Sequence, residues 1–481
     1  MFFPVRVYDS MARRVREFKP LRGNRVYMFV CGPTVYDLSH VGHARTYVAY
    51  DIIAKYLRLK GYSVFYLMNI TDVDDKIIGR GRELGVDPFK LAAEMAEEFY
   101  RDMRALKVDS VNLYAKASEH IDEIVEQVKG LLEKGYAYQL DGDVYYDISR
   151  FPDYGRLSGR RPEELVEHRV DPRPGKRNPG DFALWKAEKP GEPSWESPWG
   201  RGRPGWHIED TAITYTYFGP SYDIHGGALE LIFPHHEAEI AQMEALTGVK
   251  PMVQYWVHTG LLTIGGKKMS KSLKNFVTIR EALSRHSPEA LRTFFAMTHY
   301  RSPIDYDEDE VSSVAKFTEA LNQAYRMAER RLQLGEYVEE GEKDALGFEE
   351  DVKRVWEYVE RFYALMDDDF NTPRVMAAIS EFTNFVYRSL EGNPSKKLLE
   401  EILRAYDIFD SVLGFIDRRG EGGGGTVLKN VLDAVLEVRE ILRAEKRFDL
   451  SDRIREKLRE AGVEIEDSPE GPKWRIKQGT K

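Results

Sequence analysis

Only one of the 481 residues is a cysteine, Cys31. No intramolecular disulfide is possible, and the chain needs no oxidising compartment to fold. A lone thiol is ordinarily a small buried hydrophobe. Long apolar runs are also missing: the longest match single strands and fall far short of the roughly 20 residues that span a bilayer. The opening MFFPVRVYDSMARRVREF lacks the apolar centre and small-residue cleavage site of a signal peptide, so a cytoplasmic location with no membrane attachment is expected. An excess of basic charge is absent too. The formal net charge of -10 excludes a uniformly basic coat but leaves local patches able to meet a nucleic acid. What is present is an ordinary globular composition, 42% hydrophobic and 31% charged, which excludes wholesale disorder. A single core stops growing at roughly 250 to 300 residues, so a chain of this length predicts at least three domains.

Val26 to Val30 (VYMFV) is a β-branched and aromatic run set between Gly23-Asn24 and Gly32-Pro33, and it reads as a buried strand. Ala49, Ile52, Ile53, Tyr56 and Leu57 then recur at the spacing of one helical face, with Gly61 placed as a C-terminal cap. Val64 to Met68 gives the next strand. Strand, helix and strand in this order make a βαβ unit, whose parallel sheet binds nucleotides at the carboxyl ends of its strands. Residues 90–135 are helical in pattern. From 136 to 205 Pro, Gly, Arg and Trp gather, which predicts an insertion of loops and short strands. Sheet-like sequence resumes at Tyr222 to Phe233 and Val253 to Ile264, and from 311 long amphipathic helices predict a bundle. Gly420 to Gly425 (GEGGGG) is a flexible linker, and VEIEDSPEGPKWRI beyond it reads as a hairpin closed by Ser-Pro-Glu-Gly.

Two segments carry chemistry. CGPTVYDLSHVGHAR, Cys31 to Arg45, follows a strand and opens a helix, where backbone amides and the helix dipole favour phosphate. His40 and His43 lie one turn apart within it, so both imidazoles can donate to one group of phosphate oxygens and stabilise charge as it develops. A bare H-x-x-H more often marks two surface histidines; the strand, glycine turn and helix around this one favour the functional reading. Downstream, GGKKMSKSLKN places Gly265 and Gly266 ahead of Lys268 and Lys271, two ammonium groups on a glycine-hinged loop that can reach the outer phosphates of ATP. By itself a lysine pair is usually a solvated basic loop.

Together these segments resemble the HIGH and KMSKS signatures of class I aminoacyl-tRNA synthetases, here H-V-G-H and K-M-S-K-S. CGPTVYD, NITDVDDKI from Asn69, GWHIE from Gly205, DIHGG from Asp223, FPHHEAEIAQ from Phe233 and DDFNTP from Asp368 narrow the resemblance to the cysteinyl-tRNA synthetase family. It extends to GPKWR near the C-terminus and so covers nearly the whole chain. The implied fold is α/β: a Rossmann-like parallel-sheet catalytic domain with an insertion, then an α-helical bundle and a small C-terminal α+β anticodon-binding domain. The corresponding boundaries are 1–120 and 206–285 for the two catalytic halves, 121–205 for the insertion, 286–310 for a stem-contact segment, 311–419 for the bundle and 426–481 for the anticodon-binding domain.

The resemblance further implies a zinc ion that binds the substrate thiolate through two cysteines, a histidine and a glutamate. Cys31, His235 and Glu239 match that pattern, while Asp210 stands where the second cysteine is expected. Asp210 is then either a fourth ligand in an S, N, O, O set, harder than usual, or a hydrogen-bonding neighbour of a weak site. Gly32, Thr34, Thr71 and Trp206 are implied around the amino acid; Gly42, His225, Gly226, Gly227 and Glu230 around ATP, Glu230 replacing an expected aspartate. Trp206 and Thr71 alone would read as a core aromatic and a strand-end cap.

The implied reaction is attack of the cysteine carboxylate on the α-phosphorus of ATP, with Mg2+, His40, His43, Lys268 and Lys271 stabilising the transition state, then transfer to tRNA(Cys). A monomer is expected. Lys473, Arg475 and Lys477, with Trp474 between them, read as an RNA-facing edge, although strand alternation equally makes Trp474 a core residue. Two rivals share parts of the pattern: a ligase joining cysteine to an amino-sugar, which has no use for an anticodon-binding appendage, and a non-catalytic RNA-binding relative, which has no use for intact signature histidines and lysines.

Overall fold

The computed structural model describes residues 4–160, 173–269, 275–339, 345–418, 432, 434–443, 447–460, 463–468 and 471–476. A hairpin of β1 (Arg6–Asp9) and β2 (Arg14–Glu17) precedes the first βαβ unit, β3 (Arg25–Val30), α1 (Val41–Leu59) and β4 (Ser63–Ile70). Then come α2 (Asp75–Leu84), α3 (Pro88–Ala105) and β5 (Leu113–Lys116). After α4 (Ile121–Glu133), the strands β6 (Ala137–Leu140), β7 (Asp143–Tyr146), β8 (Phe182–Ala187) and β9 (Gly202–Pro204) form a four-stranded antiparallel sheet. The stretch whose composition reads as loops and short strands is therefore a paired sheet, because Val144, Tyr146, Phe182 and Trp185 supply a buried face that the Pro and Gly content disguises.

The chain returns to the main sheet through α5 (Ile208–Phe218), β10 (Tyr222–Ala228), α6 (Glu237–Thr247) and β11 (Val253–Thr259). That sheet has five strands in the order β11-β10-β3-β4-β5, all parallel. Strand order reverses between β3 and β10, and at such a switch point the loops leaving the two strands diverge and open a crevice. Alternation along β3 sorts its side chains into two cores. Val26, Met28 and Val30 pack with α1 on one side, whereas Phe29 and then Cys31 pack with α5 and α6 on the other.

Next, β12 (Leu262–Ile264), β13 (Lys267–Lys268) and β14 (Ile304–Asp305) make a small sheet flanking α7 (Ile279–Arg285) and α8 (Pro288–Ala296). The amphipathic helices α9 (Glu308–Leu334), α10 (Ala345–Asp367), α11 (Thr372–Glu391) and α12 (Lys396–Leu413) pack on one another as the bundle that their periodicity predicts. These elements belong to one unit ending at Ile416, and the residues from Asp417 form a second. The second unit contains α13 (Phe448–Glu460) and an antiparallel hairpin of β15 (Val463–Ser468) and β16 (Gly471–Ile476), the hairpin expected from sequence. The glycine-rich linker and Lys477 lie outside the described residues, as do the side chains of Lys473, Trp474 and Arg475. Among the described residues no helix is long and apolar enough to cross a membrane.

Candidate functional site

The loop leaving β3 delivers His40 to the start of α1. His40 Nδ1 accepts from the backbone amides of Gly42 and His43 at 3.1 and 3.3 Å, and His43 Nδ1 accepts from the His40 amide at 3.4 Å. With both Nδ1 atoms used as acceptors, the proton of each neutral ring sits on Nε2 as a donor. The rings stack with centroids 3.9 Å apart and 11° between planes. Burial lowers the pKa of His40 to about 4 and holds that of His43 well below the usual imidazole value, so both rings are neutral near pH 7. The pair thus offers fixed Nε2–H dipoles rather than two cations.

A cavity of about 150 Å³ is lined by both histidines together with Gly42, Glu230, Thr263 and Lys268. Lys268 Nζ donates to Glu230 Oε2 at 2.6 Å, and both side chains are exposed. The close packing of β10 on α1 needs glycine: a Cβ on Gly226 would lie 2.6 Å from the Tyr50 ring. The hydroxyl of Tyr50 accepts from the Gly227 amide at 2.6 Å and donates to Val257 O at 2.6 Å, fixing β10 against α1 and β11. Lys271 lies outside the described residues.

A second group gathers around Cys31, whose amide donates to Gly226 O at 3.0 Å. Asp210 from α5, His235 just before α6 and Glu239 one turn into α6 bring their ligating atoms, with the Cys31 sulfur, within 4.8 Å of one another. All four are buried. His235 Nε2 lies 2.9 Å from Asp210 Oδ2 and 3.0 Å from Glu239 Oε1, and Asn69 Nδ2 donates to Asp210 Oδ1 at 2.5 Å. Burial alone would lower the pKa of His235, but the carboxylates of Glu239 and Asp210 outweigh it and raise it to about 10. The Cys31 thiol is pushed well up by burial and by the Glu239 and Asp210 charges. As it stands the cluster is a protonated imidazole between two acids beside a neutral thiol, a set that a divalent cation would convert to four ligands.

The expected amino-acid contacts border this cluster. Trp206, 37% exposed, stacks on His235 with centroids 4.4 Å apart. Gly32 N donates to Asn69 Oδ1 at 2.6 Å, and a Cβ there would fall 1.7 Å from Asn69 O, so only glycine passes. Thr34 and Thr71 pair across the ends of β3 and β4, and the Thr71 hydroxyl donates to Glu209 Oε1. His225 departs from expectation. Its ring is fully buried, 3.4 Å from the Cys31 sulfur and packed on Phe29 and Trp256, because its place in β10 turns it toward the core shared by Phe29 rather than into the cavity that would take adenosine. His207, Glu209 and His236 were not singled out from sequence, yet they complete the buried polar base: His207 Nδ1 is 2.8 Å from His235 Nδ1, and His236 Nε2 is 3.2 Å from the Cys31 sulfur. The adjacent pairs His235-His236 and Glu209-Asp210 were the available signal.

With this geometry in view, comparison with known proteins is informative. Residues 17–316 match the profile of the tRNA synthetases class I (C) catalytic domain, and residues 361–417 match the DALR domain. The chain is 46% identical over 489 residues to the cysteine–tRNA ligase of Thermococcus onnurineus, covering 98% of this chain and 99% of that one. It is 47% identical over 476 residues to that of Pyrococcus abyssi, with 98% of each covered, and 44% identical over 481 residues to that of Heliobacterium modesticaldum, covering 98% and 99%. In fold it resembles Mycobacterium tuberculosis methionyl-tRNA synthetase bound by methionyl-adenylate, with TM-score 0.61 and 14% identity over 81% of this chain and 92% of that one. It also resembles the Agrobacterium radiobacter LeuRS of a ternary complex with tRNA and LeuAMS, with TM-score 0.58 and 13% identity over 83% and 85%. The profile matches and the near-full-length identities agree with the parallel sheet and its switch-point crevice: the chain belongs to the cysteine–tRNA ligase family of class I tRNA synthetases.

Proposed function

We propose that the chain activates L-cysteine with ATP to cysteinyl-adenylate and transfers the cysteinyl group to the 3′ end of tRNA(Cys), releasing AMP and diphosphate. The observation that carries this reading is the pairing of one cavity holding two Nε2–H donors and a lysine with a buried thiol, imidazole and carboxylate cluster. The strand β10 connects the two: Ala228 at its end lines the cavity, and the Gly226 carbonyl within it receives the Cys31 amide.

In the activation step a cysteine carboxylate oxygen bonds to the α-phosphorus and the bond to the bridging oxygen breaks, so diphosphate leaves with one more negative charge than its two phosphates carried in ATP. His40 and His43 donate to the phosphate oxygens, and Lys268, joined by Lys271, neutralises the leaving group, while Mg2+ accompanies ATP. In the free protein Lys268 is paired with Glu230; a triphosphate is the stronger partner and leaves Glu230 to accept from a ribose hydroxyl. Gly226 and Gly227 let the adenosine approach the backbone. Gly32, Thr34 and Thr71 surround the amino acid's polar groups and Trp206 flanks its side chain.

Cys31, Asp210, His235 and Glu239 fit a zinc ion, since their four donor atoms, a thiol, an imidazole and two carboxylates, converge within 4.8 Å in a buried site. When bound, zinc supplies the preference for thiolate over hydroxyl that separates cysteine from serine, a distinction a hydrophobic pocket makes poorly. Segment 286–310 and the bundle at 311–419 would hold the tRNA stem and the region 426–481 the anticodon, in a cytoplasmic monomer. The test is exchange of labelled diphosphate into ATP on purified protein. Exchange that requires cysteine and is not supported by serine is expected, followed by charging of tRNA(Cys). Exchange without charging, but with transfer to an amino-sugar, would favour the rival acceptor, and no exchange from fully folded protein would reject the reading.

A further inference from the structure

Cys31 and Glu239 belong to two sets of converging donors. Besides Asp210 and His235 on the outer side, His225 and His236 bring their Nε2 atoms to the same sulfur and the same carboxylate from the inner side. We infer that, without cysteine bound, zinc rests at this inner position, held by Cys31, His225, His236 and Glu239. The inference deepens the zinc reading above and rests on its ion, not on its reaction.

Geometry distinguishes the two sets. With Zn–S near 2.3 Å and Zn–N or Zn–O near 2.0 to 2.1 Å, tetrahedral ligand atoms lie about 3.3 to 3.6 Å apart. On the inner side His225 Nε2 and His236 Nε2 are 3.4 and 3.2 Å from the Cys31 sulfur, and His225 Nε2 is 3.2 Å from Glu239 Oε2. The outer edges are shorter than that, 2.9 and 3.0 Å from His235 Nε2 to Asp210 and Glu239, while the Cys31–Glu239 edge, 4.0 Å from the sulfur to Oε1, is common to both sets. An ion would displace hydrogen bonds on either side, those of His235 with the two acids or those of the Cys31 sulfur with His225 and His236; Glu239 Oε2 on the inner side has none to lose.

Both inner imidazoles are also held from behind. Tyr222 Oη lies 2.7 Å from His225 Nδ1. His236 Nδ1 is 2.9 Å from His258 Nε2, and His258 Nδ1 is 2.8 Å from Ser10 Oγ. If each Nδ1 carries the proton, it donates outward in an unbroken relay and leaves both Nε2 lone pairs aimed at the space beside the sulfur, the arrangement that outer partners impose on metal-ligating histidines. Finally, the inner donors are S, N, N, O, softer than the S, N, O, O that Asp210 leaves on the outer side, so a borderline ion is better served within.

The test needs no mutation at first. The unmodified full-length chain is loaded with one equivalent of zinc, without cysteine, and its ligands are counted by X-ray absorption fine structure. Two imidazoles and one sulfur are expected; one imidazole and one sulfur overturn the inference. Chelator competition then ranks variants: His236→Gln should weaken zinc at least about tenfold, and Asp210→Ala less than about threefold. The reverse ranking overturns the inference as well. A chain that takes up no zinc overturns both metal readings, while diphosphate exchange on the same sample reports separately whether the ligase reading stands.

Discussion

His40 does two jobs with one ring, and they can be measured apart. Its Nδ1 caps α1 while its ring lines the cavity proposed for the phosphates of ATP, with the Nε2–H left free to donate there. His40→Asn keeps a capping side chain but moves the outward donor, so cysteine-dependent exchange should fall about 10²- to 10³-fold, the usual loss for one transition-state donor. Lys268→Ala should lower the same rate without changing the melting temperature, since its ammonium is exposed and pairs only across the cavity. The histidine also leaves a signature in stability. Its folded pKa, about 4, lies below the ordinary 6.5 because of burial, so the unfolded chain binds the proton first as pH falls. Stability due to a neutral His40 is therefore complete above pH 6.5 and is lost between there and pH 4. Denaturant unfolding at pH 7.5 and 5 should show a loss about 2 kcal/mol smaller in His40→Asn than in the unmodified chain; an equal loss would mean the ring is not held neutral. The two signature motifs made these residues legible in sequence. His225 was named through the resemblance but for the ATP cavity, and His236 was not named, because which way a strand or turn residue points depends on its packing partners, and for His225 these include Phe29 of β3, remote in sequence.

At the scale of elements, α1 is the most constrained part of the molecule. It is buried on nearly every side, between the parallel sheet and the helices α8 and α12, and its periodicity alone predicted its existence but not its neighbours. The neighbour is fixed by charge. Asp51, fully buried in α1, receives Arg292 Nη2 from α8 at 2.8 Å, and the rest of that guanidinium donates to Leu106 O, Lys107 O and Leu413 O. One side chain thus joins α8 to the ends of α3 and α12. Arg292→Met leaves Asp51 with Lys55 as its charged partner and takes the arginine donor from three carbonyls, of which Lys107 O keeps Lys55 Nζ, which should cost about 3 to 5 kcal/mol in urea unfolding. Burial pushes the Asp51 carboxyl up, but Arg292 and Lys55 outweigh it and hold the pKa below 3.8. The pair therefore contributes fully above about pH 4 and fails only as acidification passes the lowered value, so the cost of Arg292→Met should shrink in strong acid. Sequence reading gave the short strands of the insertion but not their pairing into one four-stranded sheet for a related reason: strands of three to six residues carry too little periodicity to fix bounds or partners against a Pro- and Gly-rich background.

Over the whole molecule, the cluster around Cys31 is assembled from five distant segments, the end of β3, the end of β4, the start of α5, β10 and the start of α6, and the cavity beside it adds the start of α1 and β13. No local pattern specifies that meeting, yet a parallel sheet whose strand order reverses between β3 and β10 leaves few other places for it. All five segments, and every described residue of the cavity, lie in the unit that ends at Ile416, whereas α13 and the terminal hairpin belong to the second unit. Activation of cysteine should therefore survive removal of the second unit, and recognition of tRNA should not. A chain ending after Ile416 is expected to support cysteine-dependent diphosphate exchange at a rate within about threefold of the full chain. Its kcat/KM for charging tRNA(Cys) should fall by roughly tenfold or more, the loss of at least about 1.4 kcal/mol of binding. Charging at the full rate would show that the appendage does not read the tRNA. A parallel loss of exchange, in protein whose melting temperature is unchanged, would show instead that the catalytic unit depends on residues beyond Ile416.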